Sequence, residues 1–268
     1  MNMNSGKKML LIGLFAVLAA VIALVPIGMA ETFGVKRTAK KPQDYGNVQM
    51  DNFTGPKGVA PVVFKHWLHR ARYTCRLCHV DLGFAMSRGG TRVTEGDIRA
   101  GLYCGACHNG KTAFAGEGTR TGQGKNCDRC HSYGKEVTFS NSFAELTKGF
   151  PRARFGNRVD WLKAEELGLL TLKDEIPGLT IKRKSLKKPE DMELRPLNNA
   201  LPDIIFSHEK HATWNGCELC HPDLFGVKKG ASVYTMQDIF GGRYCGACHD
   251  KVAFPNMDCQ LCHTKEVS

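Results

Sequence analysis

The pattern Cys-x-x-Cys-His occurs six times in this chain and uses all twelve of its cysteines. At this spacing two thiols can form thioether bonds with the two vinyl groups on one porphyrin edge, while the adjacent histidine ligates the iron as its proximal ligand. The pattern therefore predicts six covalently attached haem c groups. The predicted sites are Cys75/Cys78/His79, Cys104/Cys107/His108, Cys127/Cys130/His131, Cys217/Cys220/His221, Cys245/Cys248/His249 and Cys259/Cys262/His263.

Other uses of paired cysteines explain this pattern less well. Zinc ribbons take four sulfurs from two Cys-x-x-Cys units and do not need a histidine after every pair. Iron–sulfur ligation leaves the six histidines equally unexplained, and a thioredoxin-like redox site uses one cysteine pair rather than six. The histidine that follows all six pairs therefore favours haem.

Four further histidines lie in a repeated Phe-x-His-x-x-His segment. They are His66 and His69 in the first copy, and His208 and His211 in the second. A spacing of three residues can place two imidazoles on one face of a helical turn or on diverging sides of a looser one, so that each reaches a different haem. We predict that all four are distal iron ligands.

The chain contains a long internal repeat. The segment that begins at Phe64 recurs at Phe206, 142 residues later, and each copy continues through three attachment sites. We expect a first triheme module at residues 47–137, a linker at 138–193 and a second triheme module at 194–268. With about forty residues for each haem, the porphyrins must supply most of the buried apolar surface.

These motifs together resemble the triheme class III multihaem c-type cytochromes, in two copies that cover nearly the whole chain after its N-terminal segment. The resemblance implies a multihaem cytochrome c fold with little regular secondary structure, in which short helices and short strands wrap around covalent haems. It also implies which haem each distal histidine ligates. The implied pairs are His66 with the haem at Cys75/Cys78, His69 with that at Cys127/Cys130, His208 with that at Cys217/Cys220, and His211 with that at Cys259/Cys262.

The middle haem of each module has no obvious distal ligand. Ten histidines cannot supply two ligands to each of six irons, and relatives place a histidine shortly before the middle motif, where this chain has none. Met86 and Met236 are the candidate distal ligands there, because each corresponding segment holds one methionine. A thioether ligand would raise the potential of that haem. An open or water-ligated iron is the alternative. Met50 and Met192 share the repeat offset, and packing in the core explains these methionines equally well.

The N-terminus predicts export. Lys7 and Lys8 precede an uninterrupted apolar stretch at residues 9–30. We expect residues 1–30 to be a cleaved signal peptide or an N-terminal membrane anchor, and both place the remaining chain in the periplasm. The formal net charge of +11 would indicate nucleic-acid binding in another protein. Here the propionates, about two for each haem, offset much of that charge, and export argues against nucleic acid.

The sequence between these motifs predicts few helices or strands. Short apolar runs at 59–64 and 201–206 predict brief strands. Residues 160–167 predict a short amphipathic helix that begins at an Asp160 cap and ends near Gly168.

Two further segments have a distinctive composition. The Gly-rich residues 115–125 predict a surface loop. The basic residues 181–188 are open to two interpretations, a docking surface for an acidic redox partner or a solvated face that balances haem propionates.

Iron that is closed on both axial faces can only change its oxidation state, so four such haems predict electron transfer rather than catalysis. The resemblance implies a membrane quinol-oxidising complex as one redox partner and periplasmic or outer-membrane acceptors as the other. Two alternatives remain, a haem-dependent reductase that uses an open middle haem and a subunit of a conductive filament.

Overall fold

The computed structural model describes residues 40–116, 126–139, 141–184, 187–196 and 201–265. From Lys40 onward the chain forms one compact unit. The predicted signal or anchor at 1–30 and most of the predicted loop at 115–125 lie outside the described residues. Among the helices that the structure does describe, none has both the length and the apolar character needed to cross a membrane.

Short helices and two-stranded hairpins are joined by irregular segments, which confirms the expectation of little regular secondary structure. The strands are β1 (Asn47–Met50), β2 (Val62–Lys65), β3 (Met192–Leu194) and β4 (Ile204–Phe206). The α-helices are α1 (His66–Arg70), α2 (Glu95–Arg99), α3 (Cys127–Cys130), α4 (Phe143–Leu146), α5 (Trp161–Glu166), α6 (His208–Asn215) and α7 (Met236–Phe240). A π-helical turn (Leu77–Asp81) carries His79, and 3₁₀ turns carry the first cysteines of both middle motifs (Tyr103–Ala106 and Tyr244–Ala247).

An antiparallel hairpin opens each module and confirms the predicted strands. β1 pairs with β2, with Val48 opposite Phe64, and β3 pairs with β4, with Met192 opposite Phe206. The helix that carries Phe-x-His-x-x-His follows each hairpin, because α1 begins directly after β2 and α6 begins two residues after Phe206. Each hairpin therefore positions a pair of distal histidines.

Capping boxes begin the helices before both middle motifs. The Thr94 side chain accepts a hydrogen bond from the backbone N–H of Asp97 at 3.2 Å, and the Asp97 carboxylate accepts one from the Thr94 N–H at 2.8 Å. Thr235 and Asp238 form the same pair at the start of α7. These reciprocal bonds satisfy donors that a helix leaves free at its first turn. They fix where each helix begins, and hence where the next attachment site follows.

A glycine within each middle motif packs directly against the preceding helix. Gly105 lies on the backbone carbonyl of Ile98, and Gly246 lies on that of Ile239. A β carbon at either glycine would overlap that carbonyl. The residue after the first cysteine of the middle motif must therefore be glycine for α2 or α7 to approach the site.

The main hydrophobic core lies where the two modules and the segment between them meet. It combines Trp67 of the first module, Trp161 of the intervening segment and Trp214 of the second, all of them buried. The predicted helix at 160–167 is confirmed as α5, whose Asp160 cap accepts a hydrogen bond from the Lys163 N–H at 3.0 Å. Val159, Ala164 and Leu170 complete the packing beside it. Residues 138–193 thus supply core contacts to both modules.

An ion-pair network also joins the modules. Arg76 contacts Asp81 at 2.9 Å and Asp174 at 2.7 Å, and the side chains of Arg76 and Asp81 are only 3% and 7% exposed. Arg183, from the basic segment 181–188, bridges Asp81 at 2.7 Å and Glu218 at 2.8 Å. Arg76 and Glu218 stand inside the first attachment motifs of the two modules. The network therefore holds these two motifs at one junction, and Arg183 belongs to it.

Replacing Gly105 by Ala tests the close packing of the middle motif. We expect Gly105→Ala to lower the free energy of unfolding of the mature protein by about 1–3 kcal/mol, because the added methyl forces Ile98 and its helix to shift. Chemical unfolding followed by the visible absorption spectrum measures this change. Gly149→Ala is the matched control, since a β carbon there meets no atom within 4 Å. Equal unfolding midpoints for the two variants would show that the contact at Gly105 imposes no constraint.

Candidate haem sites

All ten histidines of the chain share one hydrogen bond, from the ring nitrogen Nδ1 to a backbone carbonyl oxygen, at 2.6–3.1 Å. A carbonyl oxygen only accepts, so Nδ1 carries the proton in each ring and the lone pair resides on Nε2. Metal-binding histidines have this arrangement, with the second nitrogen bonded to a carbonyl or carboxylate that fixes the tautomer and the ring orientation. Every imidazole in the chain is therefore prepared to ligate a metal through Nε2.

The carbonyl partners follow a rule that repeats between the modules. In the first and middle sites, the proximal histidine donates to a phenylalanine carbonyl a few residues downstream: Phe84, Phe114, Phe225 and Phe254. In the third sites, His131 donates to Ala60 O and His263 to Pro202 O, just before β2 and β4. The third site thus ties the end of each module back to its opening hairpin.

Burial lowers the pKa of six site imidazoles and keeps them neutral. It lowers the pKa of His66 to about 4, although the bond to the Gly46 carbonyl partly opposes the shift. Burial is also the largest cause of the lowered pKa values of His69, His79, His108, His211 and His249. A buried site disfavours the charged imidazolium. These rings are therefore in the neutral form that metal ligation requires.

Three pairs of imidazoles face each other at the same separation. The ring centroids are 6.4 Å apart for His66 and His79, 6.3 Å for His69 and His108, and 6.4 Å for His211 and His249. Metal-to-nitrogen bonds of about 2 Å on opposite faces of one iron give a centroid separation of about 6 Å. The planes are nearly parallel in the first pair, at 8°, and cross at 54° and 53° in the other two. The spacing fits one iron between each pair.

The pairing corrects the one implied by the family resemblance. His69 faces His108 of the middle site, not His131 of the third, and His211 faces His249 rather than His263. The spacing of three residues left the destination of the second histidine open. Within the structure, Phe64 separates the two rings of its segment: it stacks on His69 at 4.3 Å and meets His66 edge-on at 4.7 Å.

Phe206 repeats this arrangement in the second module. It stacks on His211 at 4.3 Å and meets His208 edge-on at 5.0 Å. The two phenylalanines thus orient the distal histidines, a role that the sequence signals only through their place in the repeated motif. In contrast to the other distal histidines, His208 has no facing-ring contact with His221 among the described residues.

That Met86 and Met236 ligate the middle haems stays a prediction. The facing rings favour imidazoles there instead, because His69 and His211 lie opposite the proximal histidines of those sites. Met236 begins α7 and is 39% exposed. Among the described residues, neither His131 nor His263 faces a second imidazole.

Met50 and Met192, which share the repeat offset, do not occupy equivalent positions. Met50 lies opposite Val62 in the first hairpin, whereas Met192 lies opposite Phe206 in the second. Because Phe206 corresponds to Phe64, the structural counterpart of Met192 is Val48.

The cysteines are free, and burial dominates the pKa values of those that shift. Burial raises the pKa of Cys78 and Cys248 to about 12 and that of Cys104 and Cys245 to about 11. Among the described residues, no three His, Cys, Asp or Glu side chains converge as a site for a bare metal ion.

The thiols of successive sites lie close enough to influence one another. After burial, the next cause of the raised pKa is Cys107 for Cys78, Cys130 for Cys104 and Cys262 for Cys245. Each middle site therefore adjoins the third site of its own module, and in the first module it also adjoins the first site.

In the second module, Cys220 likewise contributes to the raised pKa of Cys245 and Cys248. Across the junction, Cys75 contributes to the raised pKa of both Cys220 and Cys248. The first site of the first module therefore adjoins both the first and the middle site of the second.

The residues fit haem. The donor set of two thiols and one Nε2 at each motif matches covalent attachment and proximal ligation, and the facing imidazoles match axial ligation from both sides. When bound, haem supplies one-electron redox chemistry. The cysteine side chains would hold the ring by its edge, and the imidazoles would ligate its iron.

The chain is similar to known multihaem cytochromes. The sequence profile described as cytochrome c7 and related cytochrome c matches residues 62–132 and 204–264, one region in each module. A solved c7-type three-heme cytochrome domain is 39% identical over 30% of this chain and 99% of its own, with a TM-score of 0.27.

Longer solved structures align with most of the chain. The C-terminal hexaheme fragment of GSU1996 is 27% identical over 82% of this chain and 97% of its own, with a TM-score of 0.26. The dodecaheme cytochrome c GSU1996 is 25% identical over 82% of this chain and 74% of its own, with a TM-score of 0.27. No curated protein matches the chain significantly. The paired attachment motifs and the profile that matches both modules show that the chain belongs to the cytochrome c7 family of multihaem c-type cytochromes, whose members are electron carriers.

Proposed function

We propose that this chain is a periplasmic electron-transfer protein that relays electrons through six covalently bound haems. The observation that supports this most strongly is the state of the ten histidines. Each has Nδ1 bonded to a carbonyl and Nε2 free, and six of them face each other in pairs at the spacing of axial ligands. Iron closed by two imidazoles has no position for a substrate, so its chemistry is electron exchange.

The proposed distal ligands rest on the three facing pairs and, for His208, on its place in the repeat. The proximal ligands are His79, His108, His131, His221, His249 and His263. His66 and His208 serve the first site of each module, and His69 and His211 serve the middle site. The thioethers form at the twelve cysteines. His131 and His263 are then the only imidazoles available to the third irons, which gives those two sites a coordination different from the other four.

We infer the order of the relay from which thiols influence the pKa values of one another. Electrons would pass from the third to the middle and first sites of the first module, cross the junction near Cys75 to the first or the middle site of the second module, and leave through its third site. The first cysteine of each third site, Cys127 or Cys259, is exposed, and so is Cys217 in the first site of the second module. These three sites are therefore accessible to partner proteins.

The cellular setting that we propose follows from the N-terminal segment. Residues 1–30 would export the chain, as a signal peptide or as a membrane anchor, and thiols outside the cytoplasm are available for haem attachment. A membrane quinol-oxidising complex would donate electrons, and periplasmic or outer-membrane carriers would accept them. The excess of basic residues favours partners with acidic docking surfaces.

A reductase that uses an open middle haem is less well supported, because both middle sites face two imidazoles. Only the third sites retain an axial position without a histidine. The alternative would therefore require chemistry at the ends of the relay, at the haems tethered through Cys127/Cys130 and Cys259/Cys262.

Haem content and electron uptake test the proposed function together. We expect the intact mass of the exported, mature protein to exceed that of the polypeptide by six haem equivalents, and a reductive titration with dithionite to take up six electrons per chain. Each ferric iron accepts one electron. The reduced protein should lose these electrons to an oxidised c-type cytochrome in stopped-flow mixing, without turnover on nitrite, hydroxylamine or peroxide. Fewer than six haems, or multiple turnovers on one of these substrates, would contradict the proposal.

Replacing His69 by Met tests the corrected ligand pairing. Methionine ligation raises the potential of a haem, so we expect an upward shift of at least ~60 mV, about tenfold in the one-electron equilibrium, at the middle haem of the first module. Potentials resolved for each haem by NMR identify the affected site. His66→Met is the matched control and should shift the first haem instead. A shift at the haem tethered by Cys127 and Cys130 would restore the pairing implied by the family.

The angle between facing imidazoles predicts the electronic spectrum. Parallel ligand planes split the iron d orbitals more strongly than crossed planes do, so the site with His66 and His79 should give the most rhombic low-spin EPR signal of the three facing pairs. His66→Ala should remove that signal, and His69→Ala should leave it in place. If His69→Ala removes it instead, the 8° angle between His66 and His79 does not describe the mature protein.

A further inference from the structure

Arg70 ends α1 and crosses from the first module into the second. Its guanidinium carbon lies 4.8 Å from the ring centroid of Trp161 and 4.9 Å from that of Trp214. It also donates a hydrogen bond to the carbonyl oxygen of Val252 at 2.7 Å. One positive charge is therefore held between two tryptophans at the junction of the modules.

The internal repeat does not account for Arg70. Its counterpart 142 residues later is Ala212, in the equivalent helix of the second module. The histidines around it are duplicated, whereas the arginine is not. Its role therefore concerns the junction rather than the construction of a single haem site.

The charge of Arg70 is not balanced by a carboxylate of the described chain. No Asp or Glu there lies within ion-pair distance of it, and its Nε is fully buried without a hydrogen-bond partner. Arg76, which is buried at this junction, contacts two carboxylates, whereas Arg70 is half-buried and contacts none. An arginine stays protonated in proteins. A net positive charge therefore lies in a region of low dielectric constant, where its influence extends far.

Two attachment sites lie beside this charge. Cys75 packs against the cluster that contains Trp161 and Trp214, and the Val252 N–H donates a hydrogen bond to the Cys248 carbonyl at 2.9 Å. Cys75 belongs to the first site of the first module, and Cys248 to the middle site of the second. Tyr45 donates a hydrogen bond to the Ala253 carbonyl at 2.5 Å, beside the Val252 carbonyl that Arg70 uses. Arg70 thus lies between the two sites that meet across the junction.

We propose that Arg70 raises the reduction potentials of the haems at Cys75/Cys78 and Cys245/Cys248, and thereby controls electron passage between the two modules. Ferric iron carries one more positive charge than ferrous iron, so a buried cation nearby favours the ferrous state. One electron that leaves a ferrous haem in one module reduces a ferric haem in the other. The inference rests on the proposed function, because it requires haem at both motifs.

The test uses the mature full-length protein and compares Arg70→Met, Arg70→Lys and Arg72→Met. Methionine keeps an unbranched apolar stem between the tryptophans and removes the charge, whereas lysine keeps the charge. Arg72 is the matched control, since it is an exposed arginine two residues away whose charge is screened by water. Haem content is measured first by intact mass, and the potential of each haem is then followed by NMR during stepwise reduction with dithionite.

We expect Arg70→Met to shift the one-electron equilibrium of the two junction haems toward the oxidised state by about tenfold, or about 59 mV. Arg70→Lys and Arg72→Met should shift the same two haems by less than about threefold. Arg70→Gln also removes the charge, can still donate to the Val252 carbonyl, and should give the same result as the methionine variant. A shift spread evenly over all the haems, no shift in a protein that carries six haems, or an equal shift in Arg70→Lys would overturn the inference. Wild-type protein without haem would instead contradict the proposed function itself.

Discussion

The hydrogen bond from each imidazole Nδ1 to a backbone carbonyl is the interaction on which the rest of the structure depends. It determines the tautomer, aims Nε2 and fixes the ring plane, three conditions that a haem ligand must meet at once. Because the acceptors are carbonyls, the backbone path itself positions the ligands. The bonds from His131 to Ala60 and from His263 to Pro202 span most of a module. Correct placement of the third site thus requires the opening hairpin to be in place.

Residues that recur in both copies of the internal repeat form the haem sites, whereas residues that differ between the copies form the junction. The repeated ones, such as Phe64 and Phe206, build the sites. The tryptophans of the core are not repeated: Trp67 corresponds to Glu209 and Trp214 to Arg72. Gly216 adopts a positive φ of 64° and packs on the aliphatic part of Arg76, where a β carbon would overlap the side chain. The two modules could therefore share their haem-binding motifs while acquiring different faces for docking against each other.

The sequence was sufficient to predict features that depend on local spacing. The six attachment motifs, the second strand of each hairpin and the helix capped by Asp160 all follow from patterns within about ten residues. The partner of His69 does not, because a separation of three residues fits several backbone geometries and the choice depends on where His108 returns in space. The same limit applies to Met192, whose equal offset from Met50 conceals a different pairing register in the second hairpin. Arg183 could not be assigned either, since its carboxylate partners come from both modules.

The chain has too few histidines to give each of six irons two imidazole ligands. Ten imidazoles can close four irons fully and two only from the proximal side, and under the proposed pairing the shortfall falls on the third site of each module. The first cysteines of these two sites are exposed, as is Cys217 of the second module. The junction of the modules differs, with buried tryptophans, a network in which Arg76 and Asp81 are buried, and the charge of Arg70. Burial and fixed charge raise the influence of single residues on a haem potential, whereas water screens the exposed sites. The junction is therefore where this chain can set the direction of electron flow, and the exposed sites are where partners can change it.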